Sequence, residues 1–123
     1  MKNRTLMQSF RNAFNGLFHA LRNERNLWIH MGAIVLVIVL GLILKLEPIR
    51  WALLICAIGF VVITELLNTA IERLTDMVTS EYCEKARLVK DIAAGAVLVG
   101  AILAVVIGLF VFFKPILTFL GWI

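Results

Sequence analysis

The chain has 123 residues, of which 62% are hydrophobic and only 16% are charged, and its formal net charge is +4. A soluble domain of this size could not bury so many apolar side chains, so the lipid bilayer must act as its solvent. The positive charge does not require a nucleic acid partner, because basic cytoplasmic loops and anionic lipid headgroups account for it.

The first predicted element is an amphipathic surface helix over about residues 5–25. Apolar residues, many of them aromatic, recur there at steps of three and four, and polar residues that include Arg11 and Arg22 follow the opposite face. A helix of this kind lies in the interface of a membrane rather than across it. Two roles remain open for it: an anchor that orients the protein, or a helix that also lines a functional site.

Three uncharged stretches follow, at residues 26–44, 51–64 and 92–113. The first and third are long enough to cross a hydrocarbon core of about 30 Å, whereas the second becomes long enough only if its helix continues through Glu65 towards Glu72. The pattern predicts an all-α integral membrane protein, a single domain over residues 1–123. Its three transmembrane helices are expected at about residues 27–46, 50–72 and 91–113.

The basic residues predict the orientation of these spans, because cytoplasmic loops are enriched in Lys and Arg. Most of them precede the first span or separate the second from the third: Lys2, Arg4, Arg11, Arg22, Arg25, Arg73, Lys85, Arg87 and Lys90. Only Lys45, Arg50 and Lys114 fall on the other side. The amino terminus and the 73–91 segment are therefore expected in the cytoplasm, and the carboxyl terminus outside.

The most informative feature is a polar stripe formed by Glu65, Asn68, Glu72 and Asp76, here called the acidic stripe. At 100° per residue these four side chains fall within an arc of about 80° on one helix face. A carboxylate where lipid begins costs about 2.5 kcal/mol or more, so it usually faces a partner or a ligand. By helical rise Glu65 lies at lipid depth, where a carboxylate can accept a proton from a hydroxyl, and Glu72 lies at the wet boundary, where it suits Mg²⁺.

Other residues expected at the same membrane level could take part in the transfer of a phosphoryl group. Glu24 could join Glu72 in a two-carboxylate magnesium site, although a Glu between two Arg residues is more often a surface ion pair. Lys90 could neutralise phosphate oxygens, or could simply anchor its span, and Tyr82 offers a stacking surface. Together these residues indicate transfer of a phosphoryl group from a soluble nucleotide, ATP, to a membrane-embedded alcohol.

A different class of protein also carries acids inside a membrane, namely proton-coupled transporters and channel subunits. Transporters place such acids near the midplane, whereas here they crowd one end of a span. A purely structural assembly protein would have no use for the acidic stripe.

Small residues at Ala96, Gly100, Ala104 and Gly108 predict a close helix–helix contact, either within one subunit or between subunits of a homo-oligomer.

Three motifs resemble the small prokaryotic diacylglycerol kinase/undecaprenol kinase family. They are the Glu65-Leu-Leu-Asn-Thr-Ala-Ile-Glu72 run followed by Asp76, the Lys90-Asp-Ile-Ala-Ala-Gly-Ala96 run, and Asn23-Glu-Arg-Asn26. The resemblance extends over nearly the whole chain. It implies a homotrimer in the bacterial cytoplasmic (inner) membrane, with ATP- and Mg²⁺-dependent active sites that neighbouring subunits share at the cytoplasmic face.

The resemblance also implies roles for individual residues. Glu65 matches the proton acceptor of the family, Glu24 and Glu72 match its metal ligands, and Asn68 and Asp76 belong to the supporting polar stripe. The implied nucleotide-binding residues are Glu24, Glu72, Glu81, Tyr82, Cys83, Lys90 and Asp91. The motifs around Glu24 and Lys90 resemble the undecaprenol kinase branch more than the diacylglycerol kinase branch, so undecaprenol is the expected substrate and diacylglycerol the alternative.

Overall fold

The computed structural model describes residues 5–123 and is entirely helical apart from short connections. Its four helices are α1 (Leu6–Asn23), α2 (Arg25–Ile43), α3 (Pro48–Val78) and α4 (Glu84–Phe119). The last three are long and apolar enough to cross a membrane, as the sequence predicted. Lys2 and Arg4, which contributed to the predicted orientation, lie outside the described residues.

Helix α1 begins with a reciprocal cap and ends at a break in the chain. The hydroxyl of Thr5 accepts a hydrogen bond from the backbone N–H of Gln8, whose side-chain oxygen accepts one from the N–H of Thr5. At the other end Glu24 adopts an extended backbone conformation, with φ −106° and ψ 112°. This single non-helical residue separates α1 from α2 and lets the chain change direction between them.

Helices α3 and α4 pack along much of their length, and α2 contacts α3 less extensively. Helices α3 and α4 approach closely at Gly100, where an added Cβ would lie 2.9 Å from Oγ1 of Thr64. The Thr64 hydroxyl is itself held, since it donates to the carbonyl of Phe60 at 2.8 Å. At this position the small-residue series of α4 therefore serves a contact within the chain. A Cβ at Gly108, in contrast, would meet no described atom within 4 Å.

A compact apolar cluster closes the end of the bundle at which α2 passes into α3. It contains Leu46, Leu54, Val111 and Phe112, all of which are buried. The turn before α3 uses the left-handed backbone conformation of Lys45, with φ 51°, and Pro48 occupies the first turn of α3, where its missing N–H costs nothing.

Helix α3 positions the candidate site because it is continuous over 31 residues. At a rise of about 1.5 Å per residue, seven residues from Glu65 to Glu72 span roughly 10 Å along one axis without a break. The whole acidic stripe therefore lies on a single helix that reaches from the expected lipid depth to the loop at residues 79–83.

Candidate functional site

The inner part of the acidic stripe is buried. Only 3% of Glu65 and 8% of Asn68 is exposed, and Thr69 beside them is similarly enclosed. A buried carboxylate loses the hydration that normally stabilises its charge, so its position must be compensated by neighbours or by a bound molecule. Glu65 is consequently the residue of the stripe for which a functional explanation is most needed.

Glu65 lies near His30 on α2, with Nε2 of the imidazole 3.7 Å from Oε2 of the carboxylate. His30 also lines a cavity of about 310 Å³ between α2, α3 and α4. Every other described residue that lines this cavity is apolar, among them Val37, Leu54 and Phe112. An apolar cavity therefore extends from His30, whose imidazole lies 3.7 Å from the buried carboxylate.

The sequence did not identify His30 as a candidate site residue. The signal was present, because a polar side chain within an apolar span is unusual and tends to mark a site. What the sequence does not show is the face of α2 that meets α3, and only that packing brings His30 to Glu65.

Asn68 is bonded to the outer carboxylate of the acidic stripe. Its Nδ2 donates a hydrogen bond to Oε1 of Glu72 at 3.1 Å, one helical turn away. Its Oδ1 is buried and has no hydrogen-bond partner among the described residues. Because buried acceptors are nearly always satisfied, this oxygen indicates a donor from outside the chain, such as a water molecule or a ligand hydroxyl.

Glu24 is held beside the outer end of the stripe by Arg73. The Nη2 atom of Arg73 donates to Oε1 of Glu24 at 2.8 Å, and its Nη1 lies 3.3 Å from Nε2 of His19. Since Arg73 follows Glu72 in α3, the contact brings the second expected metal ligand to the same level as the first. Arg73 and His19 were not recognised as site residues from the sequence, where Arg73 served only to predict orientation.

The oxygen atoms at this level suit magnesium that is held partly by a nucleotide. Glu24 and Glu72 supply carboxylates, the hard ligands that Mg²⁺ prefers. Within residues 5–123 no group of three or more His, Cys, Asp or Glu side chains could enclose a metal ion. Magnesium commonly binds one or two carboxylates and completes its shell with waters and phosphate oxygens, so a set of fewer than three protein ligands is compatible with the ion.

A polar pocket of about 270 Å³ lies where the 79–83 loop passes into α4. Its lining includes four of the residues expected to bind a nucleotide, together with the end of the acidic stripe: Asp76, Glu81, Tyr82, Cys83 and Lys90. The ammonium of Lys90 donates to Oδ1 of Asp76, which aims the cation at this pocket. Asp91 does not line it and instead pairs with Arg87 at 3.8 Å.

Comparison with known proteins identifies the family. Residues 11–112 match the family model described as prokaryotic diacylglycerol kinase. The chain is 39% identical over 105 residues to an undecaprenol kinase of Bacillus subtilis, covering 85% of each protein. It is 42% identical to a diacylglycerol kinase of Synechocystis, covering 92% of this chain and 65% of that protein. A diacylglycerol kinase of Escherichia coli is 36% identical, with 76% of this chain and 77% of that protein covered. The chain therefore belongs to the prokaryotic diacylglycerol kinase family and is a lipid kinase.

Proposed function

We propose that this protein transfers the γ-phosphoryl group of ATP to a membrane lipid alcohol, in an Mg²⁺-dependent reaction whose main substrate is undecaprenol. The observation that carries the proposal is the placement of Glu65, which is buried and lies 3.7 Å from His30, a residue that lines the apolar cavity. A lipid chain in the cavity would bring its hydroxyl to the one buried carboxylate, on the side from which a nucleotide can approach.

The distance between His30 and Glu65 suits a hydroxyl group between them. An oxygen atom about 2.8 Å from both Nε2 and Oε2 fits a separation of 3.7 Å. The hydroxyl donates its proton to Glu65 and accepts a hydrogen bond from His30. As Glu65 takes the proton, the oxygen forms a bond to the γ-phosphorus, and the bond from that phosphorus to the bridging oxygen of ADP breaks.

The outer residues hold the nucleotide. Glu24 and Glu72 would hold Mg²⁺, which would supply positive charge to neutralise the phosphate oxygens. Lys90 contributes a further positive charge from the pocket that it shares with Glu81, Tyr82 and Cys83. Asp91 orders the start of α4 through Arg87, and Asn68 and Asp76 hold Glu72 and Lys90 in place. This division of work follows the general rule that phosphoryl transfer depends on positioning and charge neutralisation.

The assembly that we propose is a homotrimer in the bacterial cytoplasmic (inner) membrane, with α1 as an amphipathic helix on its cytoplasmic surface. Large apolar side chains are exposed along α1 and the spans, including Phe10, Phe14, Leu36 and Val105. Lipid and neighbouring subunits would cover them. The amino terminus and the site then lie on the cytoplasmic side and the carboxyl terminus outside, with residues 1–123 as one domain.

Undecaprenol is preferred over diacylglycerol because of the chemistry of the cavity wall. A polyprenol carries one polar group, its hydroxyl, and the described cavity lining offers one polar side chain, His30. Diacylglycerol carries two ester groups close to its hydroxyl, and burying such acceptors without donors costs free energy. Diacylglycerol nevertheless remains the second candidate, since the Synechocystis relative at 42% identity is named for it.

The test is phosphate transfer from γ-labelled ATP by purified protein in mixed micelles with Mg²⁺, with undecaprenol and diacylglycerol offered separately. Label in undecaprenyl phosphate supports the main proposal, and label only in phosphatidic acid supports the second candidate. Glu65→Gln and Glu72→Gln should each abolish transfer, while the exposed Glu84→Gln should retain it. Folded protein that labels neither lipid would overturn the proposal.

A further inference from the structure

A cationic pocket lies at the end of the bundle opposite the acidic stripe. It encloses about 410 Å³, and its lining contains three basic residues: Lys45 from the α2–α3 turn, Arg50 from the first turn of α3, and Lys114 from the last turns of α4. Helices α3 and α4 run in opposite directions, which is why residues 64 positions apart in sequence meet here. None of these side chains takes part in the proposed phosphoryl transfer.

The pocket has more positive than negative charge. Glu47 is the one acidic residue of its described lining, against the three cations. Within residues 5–123, no ion-pair partner lies within 4 Å of Lys45, Glu47 or Lys114. Cations gathered at a membrane boundary repel one another more strongly than in bulk water, because the neighbouring hydrocarbon lowers the effective dielectric constant. A bound anion would relieve this repulsion.

Arg50 is already oriented, which favours binding. Its Nη1 donates to the carbonyl oxygens of Phe110 and Val111, at 2.8 and 3.0 Å. The remaining N–H groups of the guanidinium, on Nε and Nη2, make no hydrogen bond to another described residue. A guanidinium suits phosphate because its planar N–H groups match two phosphate oxygens, and a side chain that is fixed beforehand loses less entropy on binding.

Apart from Thr118, whose hydroxyl donates to the carbonyl of Lys114, the rest of the wall is apolar and identifies the kind of anion. It is built from Ile43, Leu44, Leu46, Pro115 and Phe119. The pocket also sits at the ends of helices long enough to span a membrane, at the depth where hydrocarbon gives way to headgroups. An inorganic phosphate ion would satisfy the cations but leave this apolar surface in water, whereas a phospholipid covers both.

We propose that this pocket binds the phosphate group of an anionic membrane lipid in the leaflet opposite the phosphoryl-transfer site. The lipid phosphate contacts Lys45, Lys114 and the free edge of Arg50, and its hydrocarbon lies along the apolar wall. Binding here joins the α2–α3 turn to the end of α4 and so stabilises the bundle at the end farthest from the acidic stripe. The proposal does not depend on which lipid alcohol the kinase phosphorylates.

The test measures, by native mass spectrometry, which lipids stay bound to the purified variants. Each variant is extracted from membranes that contain equal amounts of phosphatidylglycerol and phosphatidylcholine. The unchanged protein should retain phosphatidylglycerol preferentially. Lys45→Gln and Lys114→Gln should each reduce that preference by about fivefold, the effect of one cation near an anionic membrane surface. Lys114→Arg, which keeps the positive charge, should retain the preference for phosphatidylglycerol. Lys85→Gln, the same change at the other end of the bundle, should leave it intact.

Adding inorganic phosphate separates the two possible sources of the anion. If millimolar phosphate abolishes the preference and protects the protein against heat equally well, the pocket binds free phosphate, and the lipid assignment is wrong. An unchanged preference in both single Gln variants would overturn the proposal altogether. Phosphate transfer by each single variant reports separately on the kinase site.

Discussion

Arg50 donates a hydrogen bond to the carbonyl oxygen of Val111, at 3.0 Å, and thereby satisfies the acceptor that Pro115 leaves unpaired. In a regular helix the N–H of residue 115 would donate to that carbonyl, but proline has no N–H. Pro115 nevertheless lies inside α4 rather than at its end. The side chain from α3 thus replaces a missing backbone donor, and it ties the two longest helices together at this end.

Replacing Arg50 should therefore destabilise the bundle, and Pro115 should determine by how much. We expect Arg50→Met to lower the free energy of unfolding in detergent by about 1.5–3 kcal/mol, the range for a hydrogen bond to a charged group. In a Pro115→Ala background the backbone N–H returns, so the same change should cost clearly less. A double-mutant cycle measures this coupling, and strictly additive effects would contradict the account.

Two glycines of α4 should respond in opposite ways to the same substitution. Gly100→Ala places a Cβ 2.9 Å from Thr64 Oγ1, and overpacking of this kind costs about 1–3 kcal/mol. Gly108→Ala meets no described atom within 4 Å, so it should be neutral or gain up to about 1 kcal/mol from helix propensity. Unfolding measured side by side in the same micelles tests the contrast. Equal effects at both positions would show that α3 and α4 are not in close contact at Gly100.

His30 should act on the lipid substrate and not on the nucleotide. If its imidazole positions the hydroxyl beside Glu65, His30→Leu should lower kcat/KM for the lipid by roughly 10- to 100-fold, the cost of losing one orienting contact at a reacting group. His30→Gln, which keeps a donor, should recover part of the rate. The KM for ATP should change little in both variants. Unaltered lipid kinetics in His30→Leu would remove His30 from the site.

Arg73 should act on magnesium and the nucleotide through Glu24. Arg73→Gln releases the carboxylate that Arg73 holds at 2.8 Å, so we expect the KM for Mg·ATP to rise by about tenfold, the equivalent of one charged hydrogen bond. Arg73→Lys should restore much of the affinity. The control is Arg22→Gln, which removes an equal charge from the end of α1. A rise confined to the KM for the lipid would contradict this role of Arg73.

The helices were predictable because their signals are local. Apolar stretches and residue spacing indicate α1 to α4, and the 100° rotation per residue groups the acidic stripe on one face. The contacts of His30 and Arg73 were not predictable in this way, because they depend on how α2 and the α1–α2 break pack against α3. The small residues of α4 make the same point: Gly100 and Gly108 have equivalent spacing, but only Gly100 approaches a neighbouring helix closely.

Because α3 is unbroken from Glu65 to Glu72, the distance along the helix between these two carboxylates is fixed. A helix neither stretches nor compresses with its surroundings, whereas bilayers differ in thickness by several ångströms. A thicker or thinner bilayer would shift the plane in which lipid hydroxyl groups lie relative to Glu65, so turnover should pass through an optimum as vesicles are made from lipids of increasing chain length. Membrane thickness would then regulate this enzyme without any effector molecule. A rate that does not change with chain length would show that the lipid hydroxyl groups stay level with Glu65 in every bilayer.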